Sequence, residues 1–372
     1  MPYSSTKHRD DAEAVAMKSV AMMMHVLVSC LGIGALSACQ SNVSLATQSA
    51  VATQQFEFSR MVMGAPCRVL FYAPNEESAN ESARAVFDRL ARIEEALSDW
   101  MPASETRQLP SVEGVQTIVG ADLANALSMS LKYARMTGGA FDPTVGALTK
   151  RWRAARTDGR SPDAAELQAL RARCGWPQVQ FDSATHTYTA LVPGLELDFG
   201  GIGQGLGADA ALAVLRERGI TSALIDLSGD IAVSDPPPGR SGWKIDLDDP
   251  WHTQLDLANA AVTTSGDRFQ HMDLAAEGGT TTRRSHIIDP ATGEPLNTRV
   301  EVVVVARTGV EADALATALS VMGPERGRAL LSMLPSTSAR WRYETERNPV
   351  VTSAGWPTPA LRVHTMPGIA TF

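Results

Sequence analysis

A glycine-rich stretch near the middle of the chain is the feature that most constrains the fold. It lies between a short apolar segment, Leu195–Phe199, and an Ala- and Leu-rich segment, Ala208–Arg218, which stops at a glycine. The first segment predicts a buried strand, and the second predicts a helix that ends at that glycine. The glycines between them are Gly200, Gly201, Gly203, Gly205 and Gly207. Such glycines let backbone groups approach a ligand, and the N-terminus of the following helix favours an anion. We therefore expect a pyrophosphate-bearing ligand here, with Asp198 beside it at the end of the strand.

Two other interpretations of this stretch remain open. It could be a tight structural turn, since glycine is one of the residues that most strongly favour turns and end helices and strands. It could also be a dinucleotide-binding Rossmann unit, because Gly203–Ala208 fits the G-x-G-x-x-A variant and Asp226 closes the next predicted strand. Glycine-rich turns between strands and helices are common, so the rest of the chain must decide.

The composition is that of a globular protein. The chain has 372 residues, of which 44% are hydrophobic and 20% are charged, which suffices for one large domain or two. The formal net charge is -8. The chain therefore lacks the excess of positive charge that is typical of nucleic-acid-binding proteins, and we expect no nucleic-acid partner.

The first 38 residues have the plan of a secretory signal peptide. Met17-Lys18 is followed by an apolar run that ends in small residues, and Met17 could be the true start. The run ends Leu36-Ser37-Ala38-Cys39, which resembles a bacterial lipobox with Cys39 as the lipidated first residue of the mature chain. A plain membrane helix is the alternative, although His25 and two glycines interrupt the run.

We therefore predict three regions: a signal peptide over residues 1–38, a lipidated cysteine with a flexible tether over 39–55, and a folded domain over 56–372. The tether is rich in Ser, Thr, Gln and Ala and has no periodicity. The expected location is the bacterial cell envelope, with a lipid anchor on the periplasmic side of the inner membrane. Cys67 and Cys174 follow the tether and could pair in an exported protein, but their distance cannot be read from the sequence.

Periodicity predicts the main elements of the folded domain. Phe56–Tyr72 alternates as one or two strands, and helical spacing recurs over Glu76–Ser98, Ala121–Thr137 and Glu311–Met322. The charged segment Arg151–Ala172 predicts a surface helix from Pro162 onward. The other predicted strands are a pair within Cys174–Val192, then Ser222–Leu227, Trp243–Leu247, Ala261–Thr264 and Glu301–Ala306.

Asp313 and Thr317 lie four residues apart in the last of these helices and so share one face. A carboxylate and a hydroxyl in this arrangement can bind a hard cation through oxygen. Taken alone, the pair could equally be an acidic residue near a helix start and an ordinary threonine.

In their order along the chain, five motifs resemble the ApbE family, the FAD:protein FMN transferases. They are Met63-Gly64, the stretch Gly138–Gly146, the stretch Leu197–Gly205, Thr264–Asp267 together with Ser285–Pro290, and Asp313–Leu319. The resemblance covers roughly residues 56–340. A Rossmann dehydrogenase would explain neither the histidine motif nor the Asp-x-x-x-Thr helix.

The resemblance implies a mixed α/β fold with two lobes and with FAD, the substrate, in the cleft between them. The positions that match FAD contacts are Met63, Trp100, Ala140, Phe141, Asp142, Asp198, Gln204 and Ile288. The positions that match ligands of Mg²⁺ are Asp313, Thr317 and the carbonyl of Gly201. The implied reaction transfers FMN to a threonine hydroxyl of a periplasmic or membrane acceptor protein and releases AMP, with the metal neutralising pyrophosphate charge.

His286 is the candidate general acid or base, because the ordinary pKa of histidine suits proton transfer near neutrality. The alternative for this residue is a core histidine beside a turn.

The chain also departs from the family pattern. Trp100 stands where tyrosine is usual, Gln204 where lysine or glutamate is usual, and Ser228-Gly229-Asp230 where two glycines precede the aspartate. The loop Ser104–Pro110 differs as well. Two other functions therefore remain open: an FAD pyrophosphatase that yields FMN and AMP, and a periplasmic FAD-binding lipoprotein without transfer activity.

Overall fold

The computed structural model describes residues 53–249, 253–266, 271–275, 281–344 and 349–357. These residues all belong to one compact unit. The predicted signal peptide, the lipidated Cys39, the tether up to residue 52 and Asp267 of the fourth motif lie outside the described residues. Gln54 and Gln55, which the sequence analysis assigned to the tether, already belong to the first strand.

The described strands are β1 (Gln54–Val62), β2 (Ala65–Ala73), β3 (Gln116–Ile118), β4 (Val179–Asp182), β5 (Thr187–Ala190), β6 (Ala223–Leu227), β7 (Asp230–Val233), β8 (Trp243–Asp246), β9 (Gln254–Leu257), β10 (Ala260–Gly266), β11 (His271–Ala275), β12 (Thr281–Ser285), β13 (Val300–Ala306), β14 (Ser338–Tyr343) and β15 (Val350–Thr352). The helices are α1 (Glu76–Leu97), α2 (Glu105–Gln108), α3 (Ala121–Met136), α4 (Gly146–Asp158), α5 (Ala164–Arg171), α6 (Gly203–Glu217) and α7 (Gly309–Leu331). Within the described ranges, no helix is long and apolar enough to cross a lipid bilayer.

The main sheet contains eight of the described strands in the order β1-β2-β6-β7-β10-β13-β14-β15. Every pairing in it is antiparallel. The β1–β2 hairpin turns at Met63-Gly64, where both residues have positive φ, as a tight two-residue hairpin turn requires. A smaller sheet has the order β3-β5-β4, and two separate hairpins are β8–β9 and β11–β12.

The main sheet is covered on both faces. Helices α1, α3, α6 and α7 contribute, with β2, β6 and β13, to one large apolar core. The β8–β9 hairpin packs Trp243, Ile245 and Leu255 against side chains of the opposite face, among them Leu224 and Val303. The mixed α/β fold class predicted from the sequence is therefore confirmed.

The glycine-rich stretch differs from its prediction in two ways. Leu195–Phe199 is not a strand, because it makes only an isolated bridge between Glu196 and Val145. Helix α6 begins at Gly203 rather than at Ala208. The reason is packing against α7, since a Cβ at Gly205 would overlap the carbonyl of Gly309 and lie 2.8 Å from the Cβ of Asp313.

The Rossmann interpretation of this stretch is wrong. That fold requires a parallel sheet around the glycine-rich turn. Here the strand that follows α6 is β6, and it pairs antiparallel with β2 on one side and with β7 on the other. Asp226 does lie in β6, where its carboxylate is 3.6 Å from the guanidinium of Arg68.

Helix α4 was missed, and the surface helix predicted from Pro162 is α5. Helix α7 runs past its predicted end, but its backbone is interrupted just there, at Gly323, where φ is 72°. The two cysteines of the described region, Cys67 and Cys174, are both free thiols. Burial is the main cause that raises each of their pKa values to about 12.

Candidate active site

One cleft, with a volume of about 550 Å³, collects most of the predicted site residues. Those in its lining are Ala140, Phe141, Asp142, Asp198, Gly201, Gln204, His286, Ile288, Asp313 and Thr317. They come from four separate motifs, so the fold brings the motifs together. Met63 and Trp100 do not belong to this lining.

The predicted metal ligands lie where α6 and α7 cross. Asp313 is 5% exposed, and its Oδ2 accepts a hydrogen bond of 2.9 Å from the backbone N–H of Gly205. Thr317 follows one helical turn later, and a Cβ at Gly201 would lie only 2.8 Å from the hydroxyl oxygen of Thr317. The backbone of Gly201 therefore lies directly against this hydroxyl, which only a glycine permits.

Two buried carboxyl groups, Asp313 and Asp230, lie at this end of the cleft, and the charged form of each is disfavoured. Burial, and then the nearby charge of Asp230, raise the pKa of Asp313 well above its ordinary value. Asp230 is itself buried, and burial together with the charge of Asp226 raises its pKa to about 7. Within the described part of the chain, Oδ1 of Asp230 and the hydroxyl of Thr263 have no hydrogen-bond partner.

The oxygen atoms at this end of the cleft suit the binding of a magnesium ion. Carboxylate, hydroxyl and carbonyl oxygens are the ligands that Mg²⁺ prefers, and it usually keeps water or substrate phosphate in its remaining positions. Among the described residues, no group of three or more His, Cys, Asp or Glu side chains is placed to hold a metal. A cation here would consequently depend on the Thr317 hydroxyl, the Gly201 carbonyl and the substrate as well as on Asp313.

Asp198 holds the turn that begins the glycine-rich stretch. Its carboxylate is buried and accepts hydrogen bonds from Gly200 N–H (2.7 Å), the Thr149 hydroxyl (2.6 Å) and Arg153 (3.2 Å). Arg153 also pairs with Asp99. Asp198 thus joins the glycine-rich turn to α4 and, through Arg153, to the loop before Trp100.

Asp142 is buried and shapes the Phe-Asp-Pro loop. Its Oδ1 accepts hydrogen bonds from the backbone N–H and the hydroxyl of Thr144 (2.9 and 2.6 Å), and its Oδ2 accepts one from the N–H of Trp176 (2.8 Å). Burial raises the pKa of Asp142 despite these bonds. The carboxylate therefore fixes the loop that carries Ala140 and Phe141 to the cleft wall.

His286 is exposed and lines the cleft, so the alternative of a core histidine is wrong. Its neighbour Ile288 is buried and packs with Trp152 of α4 and Met272 of β11. The exposed imidazole is therefore held on a well-packed wall, where it can reach a bound molecule.

The two remaining predicted residues lie near the cleft but outside its lining. Met63 occupies the β1–β2 turn, with its Cε 3.6 Å from the position of a Cβ on Gly207. Trp100 is 61% exposed and follows Asp99, the partner of Arg153. The FAD-contact roles of Met63 and Trp100 stay predictions.

Sequence reasoning missed Asp230 and Arg153 as parts of the site. Asp230 directly follows the Ser228-Gly229 turn, in which both residues have positive φ, so a carboxylate after a tight turn was the available signal. Arg153 lies on α4, whose buried Leu148, Trp152 and Ala155 recur at helical spacing.

Comparison with known proteins identifies the family of this chain. The sequence model of the ApbE family matches residues 63–341. A Treponema pallidum protein named FAD:protein FMN transferase is 32% identical over 325 residues, covering 80% of this chain and 87% of that protein. A Klebsiella pneumoniae protein of the same name is 27% identical, with 80% and 86% covered.

The fold also matches a solved structure, that of the flavin transferase ApbE from Vibrio cholerae. The TM-score is 0.68 at 26% sequence identity, and the match covers 82% of this chain and 98% of that one. Family model, relatives and fold agree over the same part of the chain. The chain therefore belongs to the ApbE family, and it is a transferase that acts in flavin transfer.

Proposed function

We propose that this protein transfers FMN from FAD to a threonine hydroxyl of an acceptor protein, releases AMP, and requires Mg²⁺ to do so. The observation that carries the proposal is the pair of buried carboxylates, Asp313 and Asp230, beside the Thr317 hydroxyl in a cleft of about 550 Å³. Relatives named FAD:protein FMN transferase support the substrate and the class of acceptor.

The pyrophosphate of FAD would lie at the N-terminus of α6. The first N–H groups of a helix point out of its end and favour an anion. Here they follow the Gly200-Gly201 turn, and Gly200, Gly201 and Gln204 all line the cleft. Asp198 and its hydrogen bond to Gly200 N–H keep this turn in shape.

Asp313, Thr317 and the Gly201 carbonyl are the groups that would hold the magnesium ion, with Asp230 adding negative charge nearby. When bound, the cation would neutralise charge on the pyrophosphate as AMP leaves. The Gly205 N–H keeps the Asp313 carboxylate oriented through its hydrogen bond to Oδ2.

His286 is proposed to take the proton of the acceptor hydroxyl. A bond forms between the threonine oxygen and the phosphorus of the FMN half, and the bond from that phosphorus to the oxygen of AMP breaks. AMP leaves with the electron pair, and the hydroxyl proton passes to the imidazole. His286 suits this role because it is exposed on the cleft wall, and a positioned base of this kind contributes about 10²–10⁴-fold in rate.

We also propose that the protein is a lipoprotein of the bacterial cell envelope and that its acceptor is periplasmic or membrane-bound. The support is the signal-like N-terminal segment that ends at Cys39. The folded domain would then work at the membrane surface, at the end of its tether.

The test is a product analysis of the purified protein with FAD and Mg²⁺, with and without envelope proteins from the source organism. AMP together with a protein-linked flavin indicates a transferase, whereas AMP and free FMN without acceptor indicate a pyrophosphatase. FAD binding without AMP indicates a binding protein. His286→Gln should lose turnover while FAD binding stays, and a wild-type rate in this variant would remove His286 from the mechanism.

A further inference from the structure

Three contacts set the register in which the first turns of α7 lie against the glycine-rich stretch. The residues that make them follow one another at intervals of four in each segment, and the order is opposite in the two segments. Gly201 lies against the Thr317 hydroxyl, and Gly205 N–H donates to Asp313 at 2.9 Å. In the third contact, Asp209 of α6 accepts hydrogen bonds from the start of α7. The first two contacts contain the proposed metal ligands, and the third contains none of them.

The Asp209 carboxylate binds the first turn of α7 with both of its oxygens. Oδ1 accepts from Gly309 N–H at 2.7 Å, and Oδ2 accepts from Val310 N–H at 3.0 Å. The first N–H groups of a helix have no partner within the helix, and the helix dipole favours a negative charge beside them. Asp209 therefore satisfies two of these groups at once and fastens the start of α7 to α6.

The arrangement of the two helices is reciprocal. A Cβ on Gly205 would lie 2.3 Å from the carbonyl oxygen of Gly309, and a Cβ on Gly309 would lie 2.6 Å from the carbonyl oxygen of Gly205. Each glycine donates its N–H to an aspartate of the other helix, and that aspartate follows the other glycine by four residues. Asp209 is thus the counterpart of Asp313, but it does not belong to the lining of the cleft.

We propose that Asp209 is a positioning residue for the magnesium site. By holding the start of α7, it sets where Asp313 and Thr317 lie relative to the Gly201 backbone. Mg²⁺ demands near-octahedral geometry with ligand distances of about 2.0–2.1 Å, and a binding site must hold its groups to within about 0.5 Å. A small displacement of α7 would therefore weaken the site without removing a ligand. This inference rests on the magnesium requirement of the proposed function.

The test compares Asp209→Ala with Asp209→Asn, two variants that remove the same charge. Asparagine keeps one oxygen that can accept from an N–H of α7, whereas alanine keeps none. Calorimetric titration of the chelator-treated protein with MgCl₂ measures the affinity for the metal. Asp209→Ala should bind magnesium about 10–100-fold more weakly, the usual effect of removing a group that orients a metal ligand. Asp209→Asn should recover part of this loss.

The kinetics of AMP release from FAD provide a second measurement. The magnesium concentration for half-maximal release should rise in both variants, and it should rise more in Asp209→Ala. The rate at saturating magnesium should change less than this concentration, because all the metal ligands are still present.

Thr308→Ala is the matched control. Thr308 caps the same end of α7, but its hydroxyl accepts from the N–H of Glu311, which belongs to α7 itself, at 3.3 Å. The control should lower the melting temperature and leave the magnesium affinity unchanged. If Asp209→Ala fails to fold, as thermal melting would show, the comparison of Asp209→Asn with Thr308→Ala still decides the question.

Wild-type magnesium affinity in the Asp209 variants would overturn the positioning role. Equal losses in Asp209→Ala and Asp209→Asn would also overturn it, because the effect would then come from charge alone. A loss of the same size in Thr308→Ala would reduce Asp209 to a contributor to helix stability. Failure of the proposed function is a different result, in which the wild-type protein itself neither binds magnesium nor needs it to release AMP.

Discussion

The substitution Asp313→Asn separates a metal ligand from an ordinary helix residue, because the two roles predict opposite changes in stability. Asparagine keeps the oxygen that accepts the Gly205 N–H, and it removes only the charge. Burial and the charge of Asp230 raise the pKa of Asp313 above the value of the unfolded chain. The folded state then binds more protons than the unfolded state, so the free energy of unfolding of the metal-free protein falls as pH rises above about 4.

Removing this charge should stabilise the metal-free protein at pH 8. The size is on the order of 1–3 kcal/mol, the desolvation cost of a buried charged group that the single hydrogen bond from Gly205 N–H does not fully offset. This corresponds to a rise of a few degrees in the melting temperature, roughly 2–4 °C per kcal/mol for a domain of ordinary size. Thermal unfolding in the presence of a chelator measures it.

With magnesium present, the wild-type protein should be more stable than Asp313→Asn, the reverse of the order without metal. A ligand at 100 times its Kd stabilises the folded state by about 2.7 kcal/mol, and Asp313→Asn should lose most of this gain together with the release of AMP from FAD. Thr317→Val keeps the shape of the side chain and removes the oxygen, so it should weaken the magnesium dependence with little change in folding.

The opposite outcome would refute the assignment. If Asp313 only supports the start of α7, its loss costs about 1 kcal/mol of stability. Suppose that the Asp313→Asn protein is destabilised by this amount and still releases AMP at the wild-type magnesium optimum. Asp313 would then not be a ligand of the metal.

Three further predictions concern the fold and the anchor. Gly205→Ala should destabilise the protein by about 1–3 kcal/mol in urea unfolding, since its Cβ would overlap the carbonyl of Gly309. Burial acts to raise the pKa of Asp249, but its hydrogen bonds, including one of 2.6 Å from Arg340, lower it overall. Asp249→Asn should therefore cost about 3–5 kcal/mol at pH 7, and this difference should shrink as pH falls below about 4; an equal difference at pH 3 would contradict it. Cys39→Ala should abolish a lipid mass shift and release the protein from membranes, and an unchanged mass and fractionation would refute the lipoprotein prediction.

Local patterns in the sequence predicted most elements of the fold. Helix α1 has buried residues at helical spacing and an asparagine cap, Asn75, whose side chain accepts from Ser78 N–H at 2.9 Å. Met63-Gly64 interrupts the alternation of Phe56–Tyr72 and forms the β1–β2 turn. Such features are set by neighbouring residues, so they can be read without knowledge of the rest of the fold.

The start of α6 could not be predicted because it depends on a contact between distant residues. Glycine is a poor helix former, so Gly203–Gly207 indicated a loop. In the folded protein, Gly205 allows α6 to approach Gly309 of α7, and Gly207 fits against Leu227 and Leu90. Close packing of this kind outweighs the local preference of glycine.

Hydrogen bonding distinguishes the carboxylates of the cleft in a way that the sequence could not. Asp142 and Asp198 were predicted to contact FAD, yet each accepts several hydrogen bonds that fix its own loop. Asp230 was not predicted, and one of its oxygens is buried without a partner in the part of the chain that the structure describes. An aspartate predicted to contact the ligand can thus shape the site instead, while Asp230, which the sequence analysis named only in a departure from the family pattern, can add charge to it.

This division of roles has a consequence for substrate binding. At a pH above their raised pKa values, Asp230 and Asp313 together would place two negative charges near the point where the pyrophosphate of FAD is proposed to lie. Charges of one sign repel strongly in a buried site, where water screens them little. A divalent cation balances both carboxylates and leaves the N-terminus of α6 free to attract the anion. FAD affinity itself, and not only turnover, should therefore depend on magnesium, and this dependence should weaken when Asp230 is replaced by asparagine.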